Sequence, residues 1–137
     1  MRHDEIIALL LRHGIQPSAQ RVAVADYVLF TDEHPSADRV FSTVRKTLPV
    51  LSRATVYNTL NLFVKEGLLR ELVLSEGNVV FDPKLERHHH FVDDVSGRIY
   101  DVPWEVLEVK KISALEDYDV DEYQVVLRGR RSARRAK

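Results

Sequence analysis

From Phe81 to Asp101 the chain reads F-D-P-K-L-E-R-H-H-H-F-V-D-D-V-S-G-R-I-Y-D, and this stretch restricts the fold more than any other. Asp82 precedes the triplet His88, His89, His90 by six residues, and Asp101 follows it by eleven. In an extended strand successive side chains point to opposite faces, so His88 and His90 share a face and His89 takes the other. Asp94, Val95, Ser96 and Gly97 have turn character. A four-residue loop over residues 94–97 would set Asp101 directly across from His90 on a partner strand. A two-residue loop at Ser96 and Gly97 would make Asp101 a diagonal neighbour, still on the same face. Either register gathers two imidazoles and a carboxylate. Nitrogen and oxygen donors without thiolate suit Fe(II), Mn(II) or Zn(II). The competing explanation is a solvated histidine run or the remnant of a tag. A tag is longer and terminal, whereas this triplet lies mid-chain beside apolar strand residues.

A chain of 137 residues, 45% of them hydrophobic, makes one large domain or two small ones with enough apolar side chains for a core. No apolar run is long enough to cross a bilayer, and the opening Met-Arg-His-Asp-Glu-Ile lacks the apolar centre of a signal peptide, so a soluble, cytoplasmic protein without membrane partners is expected. Cysteine is absent, which excludes disulfides, thiolate zinc sites and thiol redox switches. The net charge of −1 conceals an asymmetry: residues 83–127 carry 5 Lys/Arg against 11 Asp/Glu, and residues 128–137 carry 6 Lys/Arg and no acid. An acidic middle suits cations. The basic end, which includes Arg134, Arg135 and Lys137, is expected either to touch phosphates or to be a solvated terminus.

Along the chain, apolar Ile6, Ile7, Leu9, Leu10 and Leu11 predict a helix over residues 2–13, ended by Gly14. Pro17 opens a second helix running to about Phe30. Pro35 or Ser36 starts a third, carrying Val40, Phe41 and Val44 to Leu48, with His34 just before it and outside its core face. Ser52 caps a fourth helix that ends at Gly67, with Val56, Leu60, Phe63 and Val64 as its buried stripe. Its opposite face, Ala54, Asn58, Asn61 and Lys65, with Tyr57 at the boundary and Arg53 in the first turn, is small, polar and nearly uncharged. Asn can read adenine bidentately, Ala can pack on a thymine methyl, and Arg53 with the helix N-terminus favours phosphate. An ordinary solvated face has the same composition. Context favours the reading face, because residues 68–74 and 78–82 predict two strands around Ser75, Glu76 and Gly77. Helices followed directly by a hairpin make a winged helix-turn-helix.

The expected organisation is therefore α+β: a winged-helix domain over residues 1–82, a linker over 83–87, and a small α/β domain over 88–137. In the latter, Pro103 is expected to open a helix through about Leu115 bearing Val106, Leu107 and Val109, and residues 121–127 to form a last strand. So slight a module is expected to bury its apolar face against a second copy, giving a homodimer.

The segments Gln16-Pro-Ser-Ala-Gln-Arg21, His34-Pro-Ser-Ala-Asp38, Ser52-Arg-Ala-Thr-Val-Tyr-Asn-Thr-Leu60 and His88-His-His-Phe91 resemble the ferric uptake regulator (Fur) family of bacterial transcription factors over almost the whole chain. The resemblance implies a dimeric repressor with an N-terminal winged helix and a C-terminal dimerisation domain. A divalent metal at the hinge would hold the DNA-binding arms in place, and the protein would bind double-stranded DNA at an AT-rich inverted repeat. It implies DNA contacts from Arg21, Arg53, Ala54, Thr55, Tyr57, Asn58 and Asn61. Within the family the chain looks most like the peroxide-sensing (PerR) branch. That branch's three-histidine, two-aspartate set maps onto His34, Asp82, His88, His90 and Asp101 and holds Fe(II) or Mn(II), with Zn(II) able to take the site in purified protein. By the same resemblance, reaction of Fe(II) with hydrogen peroxide oxidises a ligating histidine, His34 or His88, and releases DNA. Asp101 stands where iron-uptake members tend to carry Glu.

Two departures stand out. The two Cys-x-x-Cys pairs that bind structural zinc in most members are missing, the first pair falling at Asp93 and Ser96, so no structural cysteine-bound zinc is expected. Asn58 replaces the Arg usual after the tyrosine of the reading helix. The histidine triplet, the cysteine-free hairpin and the basic end also resemble the haem-responsive iron regulators (Irr) of the family. An iron or haem signal recruiting His89 is therefore the second reading. A non-haem iron enzyme is a remote third, because two histidines and a carboxylate serve such enzymes but this chain offers few strands.

Overall fold

The structure, a computed structural model, describes residues 2–75 and 77–133. Glu76, at the tip of the expected hairpin, and residues 134–137 of the basic end lie outside the described residues. The fold is α+β, in two compact units, Met1–Leu85 and Glu86–Lys137. Among the described residues no helix is long and apolar enough to cross a membrane.

In the first unit four helices, α1 (Arg2–Arg12), α2 (Ala19–Val28), α3 (Ala37–Val44) and α4 (Arg53–Lys65), precede an antiparallel ribbon of β1 (Arg70–Ser75) and β2 (Asn78–Asp82). Each of the last three helices begins on a serine whose hydroxyl oxygen accepts a first-turn N–H: Ser18 from Arg21, Ser36 from Arg39 and Ser52 from Thr55. Pro17 therefore lies before the cap of α2 rather than inside the helix, and α3 ends at Val44, short of the expected Leu48. Gly14 (φ 73°) and Gly67 (φ 79°) take the left-handed conformation that stops α1 and α4. One apolar cluster joins Ile6 and Leu10 of α1, Val24 and Val28 of α2, Val40 and Phe41 of α3, and Val56, Leu60 and Phe63 of α4 with Phe81 of β2. Thr59, absent from the expected stripe of α4, is buried with it, whereas Val64 is only partly covered.

In the second unit β3 (His88–Asp93) is the central strand, antiparallel to β4 (Ile99–Pro103) and parallel to β5 (Val126–Gly129). The expected helix after Pro103 does not form. Only short 3-10 turns at Trp104–Val106 and Ile112–Ala114 appear, separated by Lys111 in a left-handed conformation (φ 65°). Residues 105–111 are exposed apart from half-buried Leu107, and a short helix with no face to bury is unstable in water. The last strand begins at Val126, later than the expected 121. Glu116, Asp117, Asp119, Asp121 and Glu122 crowd the approach with acids that resist strand pairing.

Candidate functional site

In the first unit, Phe81 donates its backbone N–H to the Pro35 carbonyl (2.9 Å), fastening the end of β2 against the loop that leads into α3. That bond brings two expected ligands together: His34 Nε2 lies 3.3 Å from Asp82 Oδ2, with 2% and 3% of their side chains exposed. The other oxygen, Asp82 Oδ1, accepts the Lys84 N–H (2.9 Å) across Pro83, which orients the carboxylate. His34 is thus a buried residue, not the surface histidine that its position before a helix suggests. Its left-handed backbone (φ 53°) is uncommon for a residue with a Cβ and is maintained where surrounding structure demands it. Glu33 anchors the preceding position, accepting from the Tyr27 hydroxyl (2.8 Å) and pairing with Arg39 (3.2 Å). Burial, reinforced by Glu33, pushes the Tyr27 hydroxyl above its ordinary pKa.

In the second unit, β3 and β4 pair with His90 opposite Asp101, the register of the four-residue loop. Asp93 holds that loop shut. Its Oδ1 accepts the N–H groups of Val95 (2.9 Å) and Ser96 (3.4 Å), while its carbonyl accepts from Gly97 (2.7 Å), which has φ 77°. The Val95 N–H, with help from Ser96, keeps the Asp93 carboxyl below the usual carboxylate pKa. Asp93 therefore closes the turn by hydrogen bonding to Val95, Ser96 and Gly97.

His88 and His90 lie on one face of β3 with ring centroids 4.6 Å apart and in edge contact. Their Nε2 atoms lie 3.4 and 3.7 Å from Asp101 Oδ1; both imidazoles are 2% exposed and the carboxylate 27%. His88 Nδ1 donates to the Glu86 carbonyl (2.6 Å), and His90 Nδ1 meets the Gln124 amide oxygen (2.7 Å). An imidazole whose Nδ1–H is so engaged turns Nε2 inward as the ligating atom, the arrangement usual for metal-bound histidine. Within each unit the candidate ligand atoms lie within 4.8 Å of one another, all nitrogen or oxygen. This donor chemistry fits a borderline or hard divalent ion. His89 points the other way, 1% exposed, stacked on Trp104 at 4.6 Å and 14°.

On the outer face of α4, Arg53, Ala54, Asn58 and Asn61 are exposed, Tyr57 is 44% exposed and Thr55 is half-covered. Arg53 and Tyr57 are both held by Asp38 of α3: Arg53 pairs with its Oδ1, to which the Tyr57 hydroxyl also donates (3.3 Å), and the guanidinium lies 4.7 Å from the Phe41 ring centroid. Arg21 donates to the Gln16 carbonyl (3.0 Å) at the start of α2. Sequence reasoning missed Asp38, Glu86 and Gln124. Their roles depend on tertiary neighbours, and no spacing in the sequence announces them.

Comparison with known proteins assigns the class. The model of the ferric uptake regulator family matches residues 12–128. The peroxide-responsive repressor PerR of Staphylococcus aureus (strain Mu50) is 30% identical over 128 residues, covering 92% of this chain and 86% of that protein. The Vibrio cholerae ferric uptake regulator has the same fold, with a TM-score of 0.75 at 23% identity over 90% of this chain and 98% of that one. The structure of GAS PerR-Zn-Zn is 28% identical, with a TM-score of 0.54 over 98% and 88% of the two chains. Fold and family together define a metal-responsive transcriptional regulator and not an enzyme. The chain belongs to the ferric uptake regulator family.

Proposed function

We propose that this protein is a homodimeric repressor that binds double-stranded DNA at an AT-rich inverted repeat when loaded with Fe(II) or Mn(II), and that peroxide releases it. The observation that carries the reading is the pair His88 and His90, both buried, both with Nδ1 engaged by an oxygen, both turning Nε2 toward Asp101. In this reading His34 and Asp82 of the first unit join His88, His90 and Asp101 of the second around one ion. Binding energy then becomes energy for holding the two units in the DNA-competent arrangement. Arg53 and Arg21 meet phosphates, while Ala54, Thr55, Tyr57, Asn58 and Asn61 face bases.

Bound Fe(II) would supply the redox chemistry that splits hydrogen peroxide, one oxygen passing to the ring and the other leaving as water, so that the two-electron reduction of peroxide matches the two-electron oxidation of an imidazole carbon. The protein's part is to place His34 or His88 where an imidazole carbon is oxidised, and an oxygenated imidazole is a poorer ligand. The similarity to a peroxide-responsive repressor and the aspartate at position 101 support this branch of the family.

A gel-shift series tests the proposal: chelated protein, Mn(II) form, Fe(II) form, and Fe(II) form after peroxide. Binding by the two loaded forms alone, lost on peroxide only with Fe(II) and accompanied by one added oxygen on His34 or His88, is the expected result. DNA affinity indifferent to metal would refute it. Asp101→Glu should keep metal-dependent DNA binding and blunt the peroxide response; an undiminished response would remove that side chain from the sensing role.

A further inference from the structure

We infer that Gln124 and Val125, consecutive residues on the segment entering β5, fix the neighbouring histidines of β3 in opposite tautomers, committing His90 to metal ligation and withdrawing His89 from it. The hydrogen-bond pattern is independent of the proposed function; its consequence for the ion rests on that reading.

An amide oxygen can only accept, so Gln124 Oε1 at 2.7 Å places the hydrogen of a neutral His90 on Nδ1. The Glu86 carbonyl does the same for His88 at 2.6 Å. A backbone N–H can only donate. The Val125 N–H at 2.9 Å from His89 Nδ1 therefore requires a bare Nδ1, and neutral His89 carries its hydrogen on Nε2. The triplet thus alternates in tautomer as it alternates in face.

A neutral imidazole ligates through its bare nitrogen, and the partner of the other nitrogen decides which one that is. His88 and His90 keep Nε2 for the ion. The bare nitrogen of His89 is already occupied by the main chain, and its ring is fixed between strand and indole: Trp104 stacks on it and Tyr123 packs on Trp104 at 4.8 Å. The same segment is tied down a second time, because the His90 N–H donates to the Val125 carbonyl (3.1 Å). His89 is consequently a fastener for the approach to β5, and that approach delivers Gln124 to His90. Gln124 is a positioning residue, acting on the ion only through the imidazole.

The test begins with two-bond proton–nitrogen correlation spectra of the metal-free full chain at a pH where the rings are neutral. His88 and His90 should show the Nδ1–H pattern and His89 the Nε2–H pattern; the same pattern on His89 and His90 would overturn the inference. Gln124→Ala should weaken Mn(II) binding, read from the free-ion electron paramagnetic resonance signal, by about tenfold, the lower end for loss of a ligand's outer partner. Gln124→Glu, which restores an oxygen acceptor, should recover most of it. Unchanged affinity in Gln124→Ala beside a wild type that binds Mn(II) would overturn the positioning role. A wild type that binds no Mn(II) would sink the proposed function, and the metal-free spectra would still decide the tautomers.

Discussion

Every buried apolar side chain among the described residues lies between Ile6 and Phe81, whereas those buried in the second unit are His88, His89, His90 and Asp93. The surfaces do not differ in this way, since the first unit exposes Val50 at 76% and Val73 at 66%. Val106, Leu115, Tyr118 and Val120 of the second unit are exposed, at 64%, 51%, 70% and 43%. Hydrocarbon leaves water without needing a specific partner, at roughly 25 cal/mol per Å². Imidazole and carboxylate do so only when their polar atoms are engaged. The first unit therefore carries its own stability. The second depends on named hydrogen bonds and, in the function proposed here, on an ion and a second copy of the chain covering its exposed apolar residues.

The largest effect that would break this contrast is in the hydrocarbon half. Phe63, at the centre of the apolar cluster, should cost about 3–5 kcal/mol on Phe63→Ala, with the same loss in chelator and in Mn(II). Denaturant titration reads it, and a loss that Mn(II) repairs would contradict a self-sufficient first unit. Next comes the ion. Mn(II) at a hundred times its dissociation constant should stabilise the protein by about 2.7 kcal/mol, and His88→Ala should abolish both this gain and metal-dependent DNA binding while leaving the helical unfolding transition in place. A Mn(II)-induced shift that survives His88→Ala would put the ion elsewhere.

Smaller still is the cap of the reading helix: Ser52→Ala removes the acceptor for the Thr55 N–H and should cost about 1 kcal/mol, independent of metal. The smallest effect concerns Asp93. Because its carboxyl is held below the ordinary value of 3.8, its contribution is fully present above that pH and disappears as pH falls through the depressed folded-state pKa. Thermal midpoints of wild type and Asp93→Asn should thus differ near neutrality and converge in acid. A gap that widens on acidification would reverse the assignment.

Legibility in the sequence followed the same divide. Helices with apolar stripes and serine caps were readable because local propensity and burial agree there, as at Ser52, Val56, Leu60 and Phe63. The alternation of the histidines and the turn at residues 94–97 were readable too, and pairing settled the choice between two registers in favour of His90 opposite Asp101. The stretch after Pro103 was misjudged because proline marks where a helix can begin, not whether a face exists to sustain it. Burial of His34 was invisible locally, since it depends on Phe81 reaching Pro35 from distant sequence. The tautomers of His89 and His90 are likewise decided more than thirty residues away.

The clasp at Asp93 makes loop length an inherited constant. Surface turns usually tolerate an inserted or deleted residue at little cost. Here a single such change would slide β4 by one position and send Asp101 to the side of the sheet occupied by His89 and Trp104. Side chains at Asp94, Val95 or Ser96 can drift over generations, but their number cannot, unless a compensating bulge arises in β4.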